Sequence, residues 1–207
     1  MSKRAAAWRL FFCPKLGGAK EMAFLFSKKN LVLCFFFVAF ASQNLLAQDF
    51  VRLTAGGKNR QAQTIKKNIE EPASALVGLE LYANNLWRDV FFYQQELESV
   101  KEAAQKYLDD FEGRKLRKNN KSSLKKYGAI KVRLEWSSDK NSLDRFSIEE
   151  AKLGYYFYNG APYFSIFLPS AKNQNSEQKS PALQTANELL LLFTKSQILD
   201  LISKLEK

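Results

Sequence analysis

Histidine is absent from all 207 residues, and the two cysteines, Cys13 and Cys34, both precede residue 48. Beyond that point the chain has neither an imidazole nor a thiol. These absences exclude a Ser-His-Asp or Cys-His nucleophile system. They also exclude a zinc site of the usual His/Cys kind, haem ligation by either residue, and any disulfide downstream. No P-loop, dinucleotide fingerprint or EF-hand pattern occurs, and the stretches 78–85 and 158–160 lack the required spacing. No catalytic, cofactor-binding or metal-binding residue is assigned on these grounds.

Carboxylates remain. Glu149 and Glu150 are adjacent, and adjacent side chains of a strand point to opposite faces. They cannot flank one scissile bond, as glycoside hydrolysis requires of two carboxylates placed about 5 to 9 Å apart. Glu70-Glu71 is a similar neighbouring pair, and Asp109, Asp110 and Glu112 read as solvated residues of a helix tail. A carboxylate-based hydrolase is therefore the third reading of this chain, behind two binding functions.

What is present begins with an address. Leu31–Phe40 (LVLCFFFVAF) is an unbroken apolar run behind Lys28 and Lys29, and Ser42, Gln43 and Asn44 interrupt it. As a helix it would be about 15 Å long, half of a bilayer's hydrocarbon core. A basic stretch, a short apolar stretch and small residues at a cut site describe a secretory signal peptide. Cleavage after Ala47 is favoured over cleavage after Ala41, and an uncleaved signal anchor is the alternative. Met22 is a candidate for the true start, since residues 1–21 are too long and irregular for the basic stretch. The expected organisation is a leader over residues 1–47, a flexible polar lead-in over 48–71 and one domain over 72–207. The protein is expected to be exported, periplasmic or secreted.

Removing the leader changes the charge. The whole chain has a formal charge of +11, but residues 48–207 hold 25 basic against 20 acidic side chains. Nine of those basic residues fall within Gly113–Arg133, which has no acid, so the rest of the mature chain is net acidic. Arg114, Lys115, Arg117, Lys118, Lys121, Lys125 and Lys126 are the candidate surface for an anionic partner. Its competing role is a solvated loop that complements a helix C-terminus. The export signal argues against nucleic acid as that partner.

From Pro72 the apolar residues Leu76, Leu79, Ala83, Leu86, Val90, Tyr93, Leu97, Val100, Ala104, Tyr107 and Phe111 recur in steps of three and four. That spacing predicts one long helix ending at Gly113. The period then becomes two. Ile130, Val132, Leu134 and Trp136 face one way, and Lys131, Arg133 and Glu135 the other. Residues 145–151 predict a short strand with Phe146 and Ile148 inward. Asn159-Gly160 between aromatic runs predicts a hairpin, its loop lengthened slightly by Pro162. Ser170–Pro181 reads as a polar loop. Glu188–Phe193 fits strand or helix end, with strand preferred because Thr194–Gln197 is a capping box that starts a fresh helix. The expected fold is α+β: a long N-terminal helix on a small antiparallel sheet of four or five strands, with a C-terminal helix.

The aromatic hairpin carries large rings on both faces. Tyr156, Tyr158 and Tyr163 form a candidate platform for stacking on sugars, against the alternative of a hairpin buried between two helices. The functional expectation is a non-enzymatic envelope protein that binds another macromolecule, such as a second envelope protein or an anionic envelope surface. The alternative is a glycan- or anionic-lipid-binding domain.

Overall fold

The computed structural model describes residues 50–69, 74–119, 123–178 and 181–206. The leader with its cut sites and Lys121 lie outside the described residues. In chain order the elements are β1 (Phe50–Ala55), β2 (Lys58–Ile69), β3 (Ser74–Ala83), β4 (Leu86–Tyr93), α1 (Leu97–Glu112), β5 (Gly128–Ser137), β6 (Arg145–Tyr158), β7 (Ala161–Leu168), β8 (Ala171–Lys172), β9 (Thr185–Ala186), β10 (Leu189–Phe193) and α2 (Lys195–Leu205). Eight strands close into an antiparallel barrel in the order β1-β2-β3-β4-β5-β6-β7-β10, while β8 and β9 pair separately. Every barrel strand thus lies beside its neighbour in sequence, the up-and-down arrangement.

The long helix expected from Pro72 does not form, and the α+β expectation gives way to this barrel. The reason lies at Asn84 and Asn85. Both take left-handed backbone, with φ of 53° and 62°, and they join the paired residues Ala83 and Leu86. That is a two-residue hairpin turn of the kind asparagine tolerates. The apolar spacing was ambiguous for a definite reason. The steps Leu79 to Ala83 and Leu86 to Val90 are four, an even number that keeps one strand face. The step of three between them is spent crossing the turn. Only Leu97–Glu112 is α-helical, and its residues Leu97, Val100, Ala104 and Tyr107 are buried.

The expected lead-in is also structured. Within residues 48–71, Phe50–Ala55 and Lys58–Ile69 form a hairpin about Gly56-Gly57, whose φ values of 57° and 70° suit glycine. A third correction concerns β6, which runs 14 residues without a break. Its pairing sets Arg145 opposite Trp136 and Ser147 opposite Leu134, so these two face inward. Ile148, expected inside, is 45 % exposed. Other expectations hold. Ile130, Val132, Leu134 and Trp136 all face the core, and Leu189–Phe193 is a strand. Thr194 and Gln197 form the capping box of α2. Asn159-Gly160 is a two-residue turn, with Pro162 inside β7 opposite Phe157 rather than lengthening the loop.

The interior is lined by alternate residues of each strand, among them Val51, Leu53, Leu79, Leu81, Val90, Phe92, Leu134, Trp136, Leu153, Phe164, Ile166 and Leu191. Eight strands leave an interior that side chains can fill. Helices α1 and α2 pack on each other and cover one end, where Tyr107 of α1 donates to the Pro162 carbonyl at 3.1 Å. The connection between β7 and β10 covers the other end. Arg145 Nε donates to Ala182 O at 3.2 Å, Trp136 Nε1 to Leu183 O at 2.8 Å and Arg88 Nη1 to Asn187 O at 2.8 Å. Residues 182–187 therefore sit as a lid, held by wall side chains.

Candidate functional site

On the outer face, Gly154 of β6, Ser165 of β7, Leu192 of β10 and Thr54 of β1 lie in one register row. Gly154, Ser165 and Thr54 are small, and all four residues of the row are buried. A Cβ on Gly154 would lie 2.0 Å from the Ser123 carbonyl oxygen, so the turn at Ser123–Lys125 rests directly on the strand there. Thr54 and Leu192 of that row, with Leu124 of the turn, line a groove of about 650 Å³ whose walls include Tyr156, Tyr158, Phe167, Asn84, Asn187 and Glu188. Tyr158 Oη donates to the Gly57 carbonyl at 3.1 Å and ties the β6–β7 hairpin to the β1–β2 turn.

The three platform tyrosines all project from the outer face. Tyr156 and Tyr158 line this groove, and Tyr163 lines a neighbouring one with Arg52, Arg60, Gln61 and Gln197. The rings of Tyr158 and Tyr163 meet edge-on, with centroids 6.1 Å apart, so an aromatic pair separates the two depressions. The hairpin is not sandwiched by helices. Its inward residues Tyr155 and Phe164 belong to the barrel core, and its outward tyrosines are half-buried.

The basic segment is less uniform than its sequence. Arg114, Lys115, Arg117 and Lys118 are exposed in the connection after α1. Lys125 is 3.4 Å from Glu150, and Lys126 pairs with Asp110 at 2.5 Å while lying 5.5 Å from the ring centroids of Tyr127 and Tyr155. The Lys126 ammonium, followed by the Tyr127 hydroxyl, holds the Asp110 carboxyl below the usual carboxylate range. The two halves of the segment differ: one is free cationic surface, the other is bound into the fold.

One charged cluster escaped the sequence reading. Glu80, Asp89 and Glu135 are register partners across β3, β4 and β5 and point outward in a row. Lys67 Nζ holds both oxygens of Glu135, Arg133 Nε donates to one of them at 2.7 Å, and Lys140 pairs with Glu80 at 2.5 Å. Asp89, 6 % exposed, is left with an oxygen that has no partner among the described residues. Burial, then Glu80 and then Glu135 push its pKa up to about 7. The row is too well covered to receive a substrate, and among the described residues no acidic group is arranged to hold a metal ion. Its signal was legible in principle. Glu80 and Asp89 are equidistant from the Asn84-Asn85 turn, so placing the turn would have paired them.

Apolar residues fill this barrel and charged ones, including Arg52, Lys67, Glu80, Lys131 and Lys152, stud its outside. A membrane-spanning barrel has the opposite polarity, apolar outside. Among the described residues no helix is long and apolar enough to cross a membrane. Fold and groove together define a closed up-and-down barrel with an apolar core and a tyrosine-walled outer cleft. Over residues 19–207 the chain matches the family model described as "Uncharacterised Treponema protein", and it belongs to that family. No curated protein matches the chain, and no solved structure does.

Proposed function

We propose that this is an exported binding protein of the bacterial envelope that takes a glycan in its tyrosine-walled groove. The observation that carries this reading is the meeting of aromatic rings with hydrogen-bonding groups: Tyr156, Tyr158 and Phe167 line one concavity together with Asn84, Asn187, Glu188 and Ser170. Sites for drug-like molecules are mostly apolar with a few polar groups. This cleft is more evenly mixed, as a sugar requires, with its C–H face and its ring of hydroxyls. Export rests on the leader's basic and apolar segments.

The test is calorimetric titration of the protein with chitohexaose, soluble muropeptides and mannan oligosaccharides. At least one should bind, and Tyr156→Ala should weaken that binding at least tenfold. Tyr158→Phe, which keeps the ring and drops the hydrogen bond to Gly57, should weaken it far less. Absence of binding by all three glycans overturns the reading.

A second reading has its own support. Arg114, Lys115, Arg117 and Lys118 form a compact exposed cationic patch, and such patches speed association with anionic surfaces. Replacing these four with Gln, while leaving Lys125 and Lys126 in their ion pairs, should abolish salt-sensitive binding to anionic liposomes. Equal binding by variant and wild type removes this surface from consideration.

A further inference from the structure

Arg88 is 0 % exposed and points into the barrel between its register partners Leu81 and Trp136. Its Nη1 is satisfied by the Asn187 carbonyl of the lid, but its Nε and Nη2 have no partner among the described residues. The next residue, Asp89, faces the opposite side of the sheet and belongs to the outer carboxylate row. Burial alone pushes the guanidinium down to about 10. A buried cation with unmet donors is costly, and proteins ordinarily match it with a counter-charge.

The geometry of the unmet donors narrows the counter-charge. Nε–H and one Nη2–H lie parallel along a single edge of the guanidinium, the fork that accepts both oxygens of a carboxylate. The surrounding wall of Leu81, Ala83, Val90, Leu134 and Trp136 is apolar. Arg145, the other inward cation on this register row, is already engaged with Asp144 at 2.6 Å and with the lid carbonyl of Ala182. One fork and one unmatched charge suit a monocarboxylate better than a phosphate dianion.

The lid above this site is the short stretch that ends the β7–β10 connection. Residues 182, 183 and 187 meet the barrel wall through hydrogen bonds from Arg145, Trp136 and Arg88, while Thr185 and Ala186 between them pair with Lys172 and Ala171. Leu183 takes left-handed backbone, φ 60°, which is uncommon for a residue of this size. Such strain persists only where the surroundings over-determine it.

We propose that the barrel mouth beneath residues 182–187 is a carboxylate-binding site. The Nε–Nη2 edge of Arg88 grips both oxygens of a monocarboxylate, and the apolar wall receives the hydrocarbon part of the ligand. The site faces the barrel interior and the groove faces outward; they share Asn187, and the Arg88 and Tyr156 variants test the two readings separately.

The experiment titrates the wild-type protein with decanoate and with acetate, following the melting temperature and tryptophan emission, to which Trp136 beside Arg88 contributes. Decanoate should raise the melting temperature saturably by several degrees and alter the emission, because a ligand that binds only the native state stabilises it. Arg88→Met should lose both responses. Arg88→Lys, a point charge without the fork, should bind at least tenfold more weakly. If acetate binds as tightly as decanoate and needs Arg88 equally, the ligand is a small free carboxylate and the carboxylate site stands. Absence of any saturable response in the wild type, or an unchanged response in Arg88→Met, overturns the site. Should Arg88→Met fail to fold, Arg88→Lys decides, and binding equal to wild type overturns it.

Discussion

Lys67 and Glu135, 68 residues apart in sequence, meet across the outside of the barrel with Nζ at 2.6 and 2.7 Å from the two carboxylate oxygens. Glu135 is only 2 % exposed, so this lysine and Arg133 supply its counter-charge. Exposed pairs contribute about 0 to 1 kcal/mol, and removing one partner of a buried pair costs about 3 to 5 kcal/mol. Lys67 is partly exposed and Arg133 remains, so Lys67→Met should lie between, at about 1 to 3 kcal/mol of lost stability in chemical denaturation. A loss below 0.5 kcal/mol, on the scale of a surface substitution, would show that Arg133 suffices alone.

Asp89 should make stability depend on pH. Its pKa rises from 3.8 to about 7 on folding. Between those values the unfolded chain has released the proton while the folded protein keeps it, so stability falls as pH rises through this window and levels off above it. Asp89→Asn has no such proton to lose. Its melting temperature should exceed that of the wild type at pH 8 by several degrees and match it closely near pH 4, since about 1 kcal/mol corresponds to roughly 2 to 4 °C in a protein of this size. Parallel profiles for the two proteins would place the titration elsewhere.

Asn85 offers a test of the hairpin itself. At φ 62° it occupies the second turn position that glycine fills most readily. Asn85→Gly should therefore stabilise the protein by about 0.5 to 1 kcal/mol, whereas glycine in a helix interior costs up to about 1 kcal/mol against Ala. The sign of the change, read from a urea midpoint, distinguishes a turn from a helix at this position.

Gly154→Ala probes the contact under the groove. The added methyl would lie 2.0 Å from the Ser123 carbonyl oxygen and 2.5 Å from the Leu124 carbonyl carbon, both backbone atoms. Overpacking of this kind costs about 1 to 3 kcal/mol. Leu124 also lines the groove, so glycan binding should weaken along with stability. Unchanged stability would mean that the Ser123–Lys125 turn shifts freely.

What the sequence disclosed follows from where its patterns were unambiguous. Ile130 to Trp136 alternate without a competing period, and Thr194 with Gln197 is a local device, so β5 and the start of α2 were legible. Residues 74–93 carry apolar side chains compatible with both periods, and a turn of two asparagines advertises itself less than Asn-Gly does. With that turn unmarked in the sequence, the residues of β3 and β4 read as one element with α1, and barrel closure is hidden. The lead-in failed for another reason. β2 bears Lys58, Arg60, Gln61, Lys66 and Lys67, polar enough to hide the one alternation that includes buried Ala62. Of the candidate site, the three tyrosines were visible because rings are conspicuous. Asn84, Asn187 and Glu188 reach the groove only through the topology.

The two ends of the described barrel lie on one side of it. β1 begins at the end covered by the helices, and Lys204 of α2 donates to the carbonyl of Phe50 there. Phe50 and the end of α2 therefore lie at that pole of the barrel, and the lid occupies the opposite one. A tag joined directly to the barrel at that pole would turn the lid toward the medium, so surface plasmon resonance could present the Arg88 mouth to an analyte.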